Sequence, residues 1–166
     1  MTMFGLLMFP LLFACSNTQS QGVEAIKAKG KLVVALNPEF APFEYQKLVD
    51  GKNQIVGSDV ELAKAIAKEL GVEVEFSPMS FDNVLASLDS GKADLAISGV
   101  SKTEERSQVY DFSIPYYTSK NKVIVRKAEL TNYQSVKDLA QKKVGAQKGS
   151  IQETLAKETL QDSSLV

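Results

Sequence analysis

From Lys31 to Ile97 the chain alternates strand-type and helix-type patterns, and few folds accommodate that order. Lys31–Leu36 is an apolar, β-branched run, Val72–Phe76 alternates, and Ala93–Ile97 is a third strand candidate. Helical segments fill the intervals. Ser58–Leu70 is the clearest: Ser58 and Glu61 stand at capping-box spacing, Leu62, Ala63, Ile66 and Leu70 share one face, and Gly71 follows as a C-terminal glycine. Val23–Gly30 suits a short helix, and Asp82–Ser90 a further one closed by Gly91. Strands separated by helices predict an α/β fold with a largely parallel sheet. Such sheets bind ligands beyond the carboxyl ends of their strands, where Asn37, Phe40 and Ser98–Ser101 fall. A second set of elements follows: a strand at Lys120–Arg126, a short helix at Val136–Ala140, a strand at Val144–Gln147 and a helix at Ser150–Leu160.

The most informative motif is Ser98-Gly99-Val100-Ser101-Lys102-Thr103-Glu104-Glu105-Arg106. A glycine-containing turn leaving a buried strand exposes backbone N–H and C=O groups. Ser101 adds a hydroxyl, and Arg106 a planar fork that matches a carboxylate through two parallel hydrogen bonds. The alternative is structural, with Thr103 capping a surface helix and Arg106 pairing with a glutamate on it. Composition narrows the chemistry. With no His and one Cys, the chain cannot build a thiolate–imidazole metal site, a Ser-His-Asp triad or a Cys-His dyad on its own. A net charge of −1, with no basic block, gives nucleic-acid binding no support. Gly145-x-x-x-Gly149-Ser150 lacks the spacing and the lysine of a phosphate-binding loop.

The motif resembles the corresponding segment of the family-3 extracellular solute-binding proteins, which serve ABC importers of polar amino acids. The likeness runs from about Val23 to the last residue. It rests also on Ala35-Leu36-Asn37-Pro38-Glu39-Phe40-Ala41-Pro42-Phe43-Glu44, Ile55-Val56-Gly57-Ser58-Asp59-Val60-Glu61-Leu62, Tyr110-Asp111-Phe112-Ser113-Ile114-Pro115-Tyr116-Tyr117 and Val144-Gly145-Ala146-Gln147-Lys148-Gly149-Ser150, in the order the family has them. It implies a periplasmic-binding-protein-like two-lobe (Venus-flytrap) fold of type II, with lobe 1 over residues 23–119, a hinge near Tyr117–Lys120, and an incomplete lobe 2 over 120–166. A lobe cut short leaves apolar faces and strand edges uncovered, from which poor stability or association is expected.

By resemblance, Arg106 holds the α-carboxylate of a free amino acid, Ser101 assists it, and Ser98 and Gly99 form the turn whose carbonyl meets the α-ammonium. Phe40 and Phe81 match the aromatic pair that sandwiches the ligand side chain, with core packing as the other role open to each. Asn37, Glu44 and Asp59 are candidates to read its far end; Asn37 stands where many relatives carry Asp, and Asp59 serves equally well as a capping residue. Gln147, Ser150 and Ile151 are the candidates from lobe 2, where the start of a helix offers free N–H groups to an anion. Relatives often carry Thr at the position of Ile151. A basic amino acid, arginine first and glutamine next, is the expected ligand, and a membrane permease the expected partner of a protein that is monomeric when complete. No catalytic group, metal or cofactor is expected.

Residues 1–14 read as a lipoprotein signal peptide: Phe4–Ala14 is apolar but shorter than the ~20 residues of a membrane-spanning helix. Leu12-Phe13-Ala14-Cys15-Ser16 resembles a lipobox, which makes Cys15 the expected site of lipid anchoring to the bacterial cell membrane; a free Cys in a core helix is the alternative. Residues 15–22 then form the lipid-anchored start and a polar tether. Two other functions stay open: a dehydratase of small acids on the same fold, and a non-transport sensor or inert truncated remnant.

Overall fold

The computed structural model describes residues 22–160 and 163–166; the expected signal peptide, Cys15 and most of the tether lie outside the described residues. Helix α1 (Val23–Lys29) ends at Gly30 and leads into β1 (Lys31–Leu36), the central strand of a three-stranded parallel sheet. Short β2 (Glu39–Phe40) follows, then β3 (Glu44–Val49) and β4 (Lys52–Val56), which form a separate antiparallel sheet. Helix α2 (Ser58–Leu70) returns the chain to β5 (Glu73–Pro78), and α3 (Phe81–Asp89) carries it across to β6 (Leu95–Ala96). The order β5-β1-β6 places each flanking strand in parallel register with β1: Lys31 lies opposite Glu73, and Val34 opposite Leu95.

The apolar run of β1 has a direct packing cause. Leu32 and Val34 point to one face and pack with Ala63, Ala67 and Ile97, while Val33 and Ala35 point to the other and pack with Val84 and Ala93. A strand covered on both faces has no solvent side on which to alternate polar residues. The sheet therefore carries α2 on one face and α3 on the other. The chain passes from β1 to β5 on one side and then to β6 on the other, so strand order switches at β1 and a crevice opens beyond the carboxyl ends of β1 and β6.

The β3–β4 hairpin was not anticipated. Its turn is Asp50-Gly51, with φ of 50° and 76°, as the two-residue turn between Val49 and Lys52 requires. Its strands are largely exposed and polar, so the hydrophobic alternation that marks a strand is missing. The capping box at Ser58 also does not form: Gly57 is the cap position, no side chain caps the helix, and Glu61 pairs with Lys64 at 2.8 Å. The first amides of α2 are satisfied by a neighbouring turn instead, Ser58 N–H donating to Pro42 O at 3.2 Å and Asp59 N–H to Phe43 O at 2.9 Å.

After β6 come α4 (Glu104–Ser107), 3₁₀ turns at Lys127–Asn132 and Val136–Leu139, β7 (Lys143–Val144), α5 (Ile151–Thr159) and β8 (Ser164–Leu165), which pairs in parallel with β7. The strand expected at Lys120–Arg126 is absent. That run has no ladder neighbour among the described residues, and Ile124 is 94% exposed. β-branched residues suit a strand only where a neighbouring backbone receives their N–H and C=O groups. Beyond Tyr116, Leu139 and Ala156 are the only hydrophobic residues buried among those described.

Gly57 controls how α2 seats. Its φ is 135°, and a Cβ there would lie 2.1 Å from the carbonyl oxygen of Phe43. Gly57→Ala is therefore expected to destabilise the protein by about 2–4 kcal/mol in urea unfolding. Gly71→Ala, at φ 72° with open space around it, should cost only about 1 kcal/mol. Equal losses would show that crowding at Phe43 is not the cause.

Candidate functional site

A cleft of about 940 Å³ lies beyond the carboxyl ends of β1 and β6. Asn37, Phe40, Glu44, Phe81, Ser98, Gly99, Ser101, Arg106, Gln147, Ser150 and Ile151 all line it; Asp59 does not. Its far wall continues over Val123, Val125 and Leu155, so the volume includes apolar space well away from the polar cluster.

The cluster is built on one hydroxyl. Ser98, just past β6, accepts from the backbone N–H of Asn37 at 2.9 Å and donates to Glu44 Oε1 at 2.7 Å. Ser98 thus joins the ends of β1 and β6 to the start of β3. The Asn37 side chain is oriented by its neighbours: Nδ2 donates to Met79 O at 3.1 Å, and Oδ1 accepts from Gln147 Nε2 at 3.1 Å. Gly99 has φ 57°, and a Cβ there would lie 2.9 Å from the ring of Phe40, so only glycine lets that ring stand against the turn. Phe40 stacks on Phe43 with centroids 5.1 Å apart, and Phe43 meets Tyr117 edge-on at 4.8 Å. Phe40 is 48% exposed and Phe81 half-buried, so both present ring surface to the cleft.

Thr103 caps α4, its hydroxyl accepting from Arg106 N–H at 3.2 Å. Arg106 does not pair with a helix glutamate. Its guanidinium donates to Ser101 O at 2.8 Å and to Gly149 O at 2.9 Å, which fixes the fork between the Ser101 turn and the entry to α5. Ser150 caps α5, accepting from Glu153 N–H at 3.1 Å, while Glu153 accepts from Gly149 N–H at 2.7 Å. The Ser150 oxygen is therefore engaged in capping. Ile151 begins a nine-residue helix whose N-terminal amides and dipole favour an anion.

Two contacts had no sequence signal. Lys148 forms an ion pair with Asp82 at 2.8 Å, and the Tyr116 hydroxyl donates to Asp59 Oδ2 at 2.8 Å. Gln147, Lys148 and Gly149 thus touch Asn37, Asp82 and Arg106 in turn. Contacts of this kind join residues distant in the chain and leave no periodic trace.

Glu44 is fully buried, and its Oε2 has no hydrogen-bond partner. Burial is the largest cause that pushes its carboxyl up to about 8; the Ser98 hydrogen bond opposes this, and the neighbouring Asp59 carboxyl adds to it. Asp59 is also buried, in the first turn of α2. At the cleft floor burial therefore favours the uncharged form of Glu44 well above the usual carboxylate range. The native state keeps this proton after the unfolded chain has lost its own at about 4.5, so stability contributed by Glu44 falls as pH rises from about 4.5 to about 8. Thermal unfolding across that window should show a midpoint that drops by several degrees, with a flatter profile in Glu44→Gln. Parallel profiles would mean that Glu44 is ionised throughout.

Comparison with known proteins places this geometry. Residues 32–161 match the family described as bacterial extracellular solute-binding proteins, family 3. The arginine-binding extracellular protein ArtP of Bacillus subtilis (strain 168) is 46% identical over 147 residues, which is 89% of this chain and 54% of ArtP. A crystal structure of the amino acid ABC transporter substrate-binding protein AbpA from Streptococcus pneumoniae Canada MDR_19A, bound to L-arginine, superposes with a TM-score of 0.84 at 82% identity, over 86% of this chain and 60% of that one. The ancestral amino acid-binding protein AncCDT-1, a precursor of cyclohexadienyl dehydratase, superposes with a TM-score of 0.80 at 37% identity, over 87% of this chain and 63% of that one. This chain spans about half the length of the curated relatives it matches. Its mixed α/β architecture is part of their two-lobe type II fold, and the chain belongs to the bacterial extracellular solute-binding proteins, family 3.

Proposed function

We propose that the chain is the ligand-binding component of an ABC amino-acid importer, that it acts outside the cytoplasm, and that its ligand is arginine. The observation that carries this reading is the Arg106 fork, held by backbone carbonyls at the cleft with the N-terminus of α5 beside it. A ligand carboxylate there meets a guanidinium and the free amide of Ile151 together. The side chain then runs between Phe40 and Phe81, whose faces attract a cation as well as bury a stem. At the far end the hydrogen bond from Asn37 to Met79 fixes Oδ1 as an acceptor, which suits a donor-rich guanidinium. Arginine bound to AbpA and the name of ArtP support the same ligand.

In this reading residues 23–119 form lobe 1 and the chain from 120 onward lobe 2. The ligand binds lobe 1 first, and hinge closure brings Gln147–Ile151 onto it. The closed form docks on a membrane permease, and Cys15 carries the lipid that keeps the protein at the cell membrane. A dehydratase needs a general acid or base within reach of its substrate. Of the acidic residues lining the cleft, Glu44 is fully buried and Glu129 faces Arg126 at 3.5 Å, which favours binding over turnover.

Calorimetry of the native protein with L-arginine, L-lysine, L-glutamine and L-cystine tests the ligand; arginine should bind most tightly, and heats no different from buffer dilution would overturn the reading. Arg106→Ala should lose about 2–5 kcal/mol of arginine binding, as expected for removing one member of a charged, desolvated pair. Unchanged affinity in that variant would remove Arg106 from the site.

A further inference from the structure

Glu44 lies at the floor of the cleft yet exposes no surface to a ligand, so any influence it has on binding must pass through other residues. Its contacts lead in two directions. Oε1 accepts from Ser98, whose oxygen also holds the Asn37 backbone, and Asn37 in turn holds Gln147. Oε2 is buried without a partner, and the carboxyl next to it is that of Asp59. The backbone brings the two acids together, because Asp59 N–H bonds to the carbonyl of Phe43, the residue before Glu44. Asp59 then accepts from Tyr116, whose phenol lies beside the backbone of Gly99.

Two ionised carboxylates in this buried place would repel each other with little water to screen them. Among the described residues neither acid forms an ion pair with Lys or Arg. The groups facing Glu44 are Ser98 from beyond β6, Asp59 from α2 and, opposite it on β2, the uncharged Phe40. Tyr116 stands behind Asp59. A proton on Glu44 Oε2 removes the repulsion and supplies the missing hydrogen bond, donated to Asp59.

We propose that Glu44 is a positioning residue for the ligand and acts as a neutral carboxylic acid, linking Ser98 on one side to Asp59 and Tyr116 on the other. The linkage braces the Ser98–Gly99 turn through the Ser98 hydroxyl. Loss of the proton to solvent breaks the Glu44–Asp59 bond and sets two anions side by side against Ser98. Ligand binding therefore weakens at alkaline pH. This rests on the arginine-binding reading.

The test is the dissociation constant of L-arginine, measured by calorimetry on the native protein and on Glu44→Gln and Glu44→Ala from about pH 6 to about pH 9. A single required proton on a group near 8 predicts a rise of about tenfold between about pH 7 and about pH 9 in the wild type. Glu44→Gln keeps an acceptor for Ser98 and a permanent donor for Asp59. It should bind within a few-fold of wild type at neutral pH and lose that rise. Glu44→Ala should bind about tenfold or more weakly throughout. Titration of arginine's own ammonium is common to all three, so the ratio of variant to wild type carries the result. An infrared carbonyl band of a protonated carboxylic acid, present at neutral pH and missing in Glu44→Gln, is the second readout. Arginine binding with parallel pH profiles in wild type and Glu44→Gln, or absence of that band, overturns the role given to Glu44 and leaves the ligand assignment standing. Failure of arginine to bind at any pH overturns the ligand assignment and this inference together.

Discussion

The Ser98 hydroxyl is the interaction on which the rest of the site depends. It accepts from Asn37 N–H and donates to Glu44, so one oxygen fixes the relation of β1, β6 and β3 where the sheet opens. Other features serve that junction. Gly57 lets α2 press its first amides onto the Pro42–Phe43 turn and so carries Asp59 to Glu44. Gly99, the next residue after Ser98, makes room for the Phe40 ring. The junction is buried, and apart from Glu44 Oε2 its polar groups are matched within the protein rather than by solvent, which rewards a single arrangement and penalises near alternatives. A ligand site built this way inherits its geometry from the core of the sheet.

Most of the parallel sheet was legible in the sequence because its cause is local and repetitive. Lys31–Leu36 reads as apolar because both its faces are covered, and Ser58–Leu70 reads as a helix from its apolar face and closing Gly71. What failed lacked such a cause. The capping box at Ser58 matched a spacing, yet Ser58 N–H is taken by Pro42 O in a distant turn and Glu61 N–H by Gly57 O. The hairpin strands are polar on both faces, and Asp50-Gly51 was the single readable sign of them. Lys120–Arg126 has strand composition, but pairing depends on a neighbour that composition does not supply.

The site divides in the same way. The turn Ser98–Arg106 and the helix start at Ser150 and Ile151 are contiguous stretches, and their residues meet in one cleft. Glu44 and Asp59 were read as candidates to face a ligand, with capping the other role open to Asp59; the structure buries both, Glu44 at the floor of the cleft and Asp59 outside its lining. A carboxylate in a loop motif looks the same in sequence whether it points into a cleft or away from it. Tyr116, which completes that pair, stood in a motif with no role attached to it.

The ion pair of Lys148 with Asp82 has a consequence for the medium in which such a protein works. The lysine side chain is 82% exposed, and the pair sits outside the cleft, bridging the loop before α5 to the first turn of α3. Exposed pairs contribute about 0–1 kcal/mol and are weakened by dissolved ions. Ionic strength therefore bears on how firmly the loop before α5 rests against α3, while the hydrogen bonds of Gln147 and Gly149 on either side are far less sensitive to it. A fluid rich in salt would loosen the contact of that loop with α3, and a dilute one would tighten it.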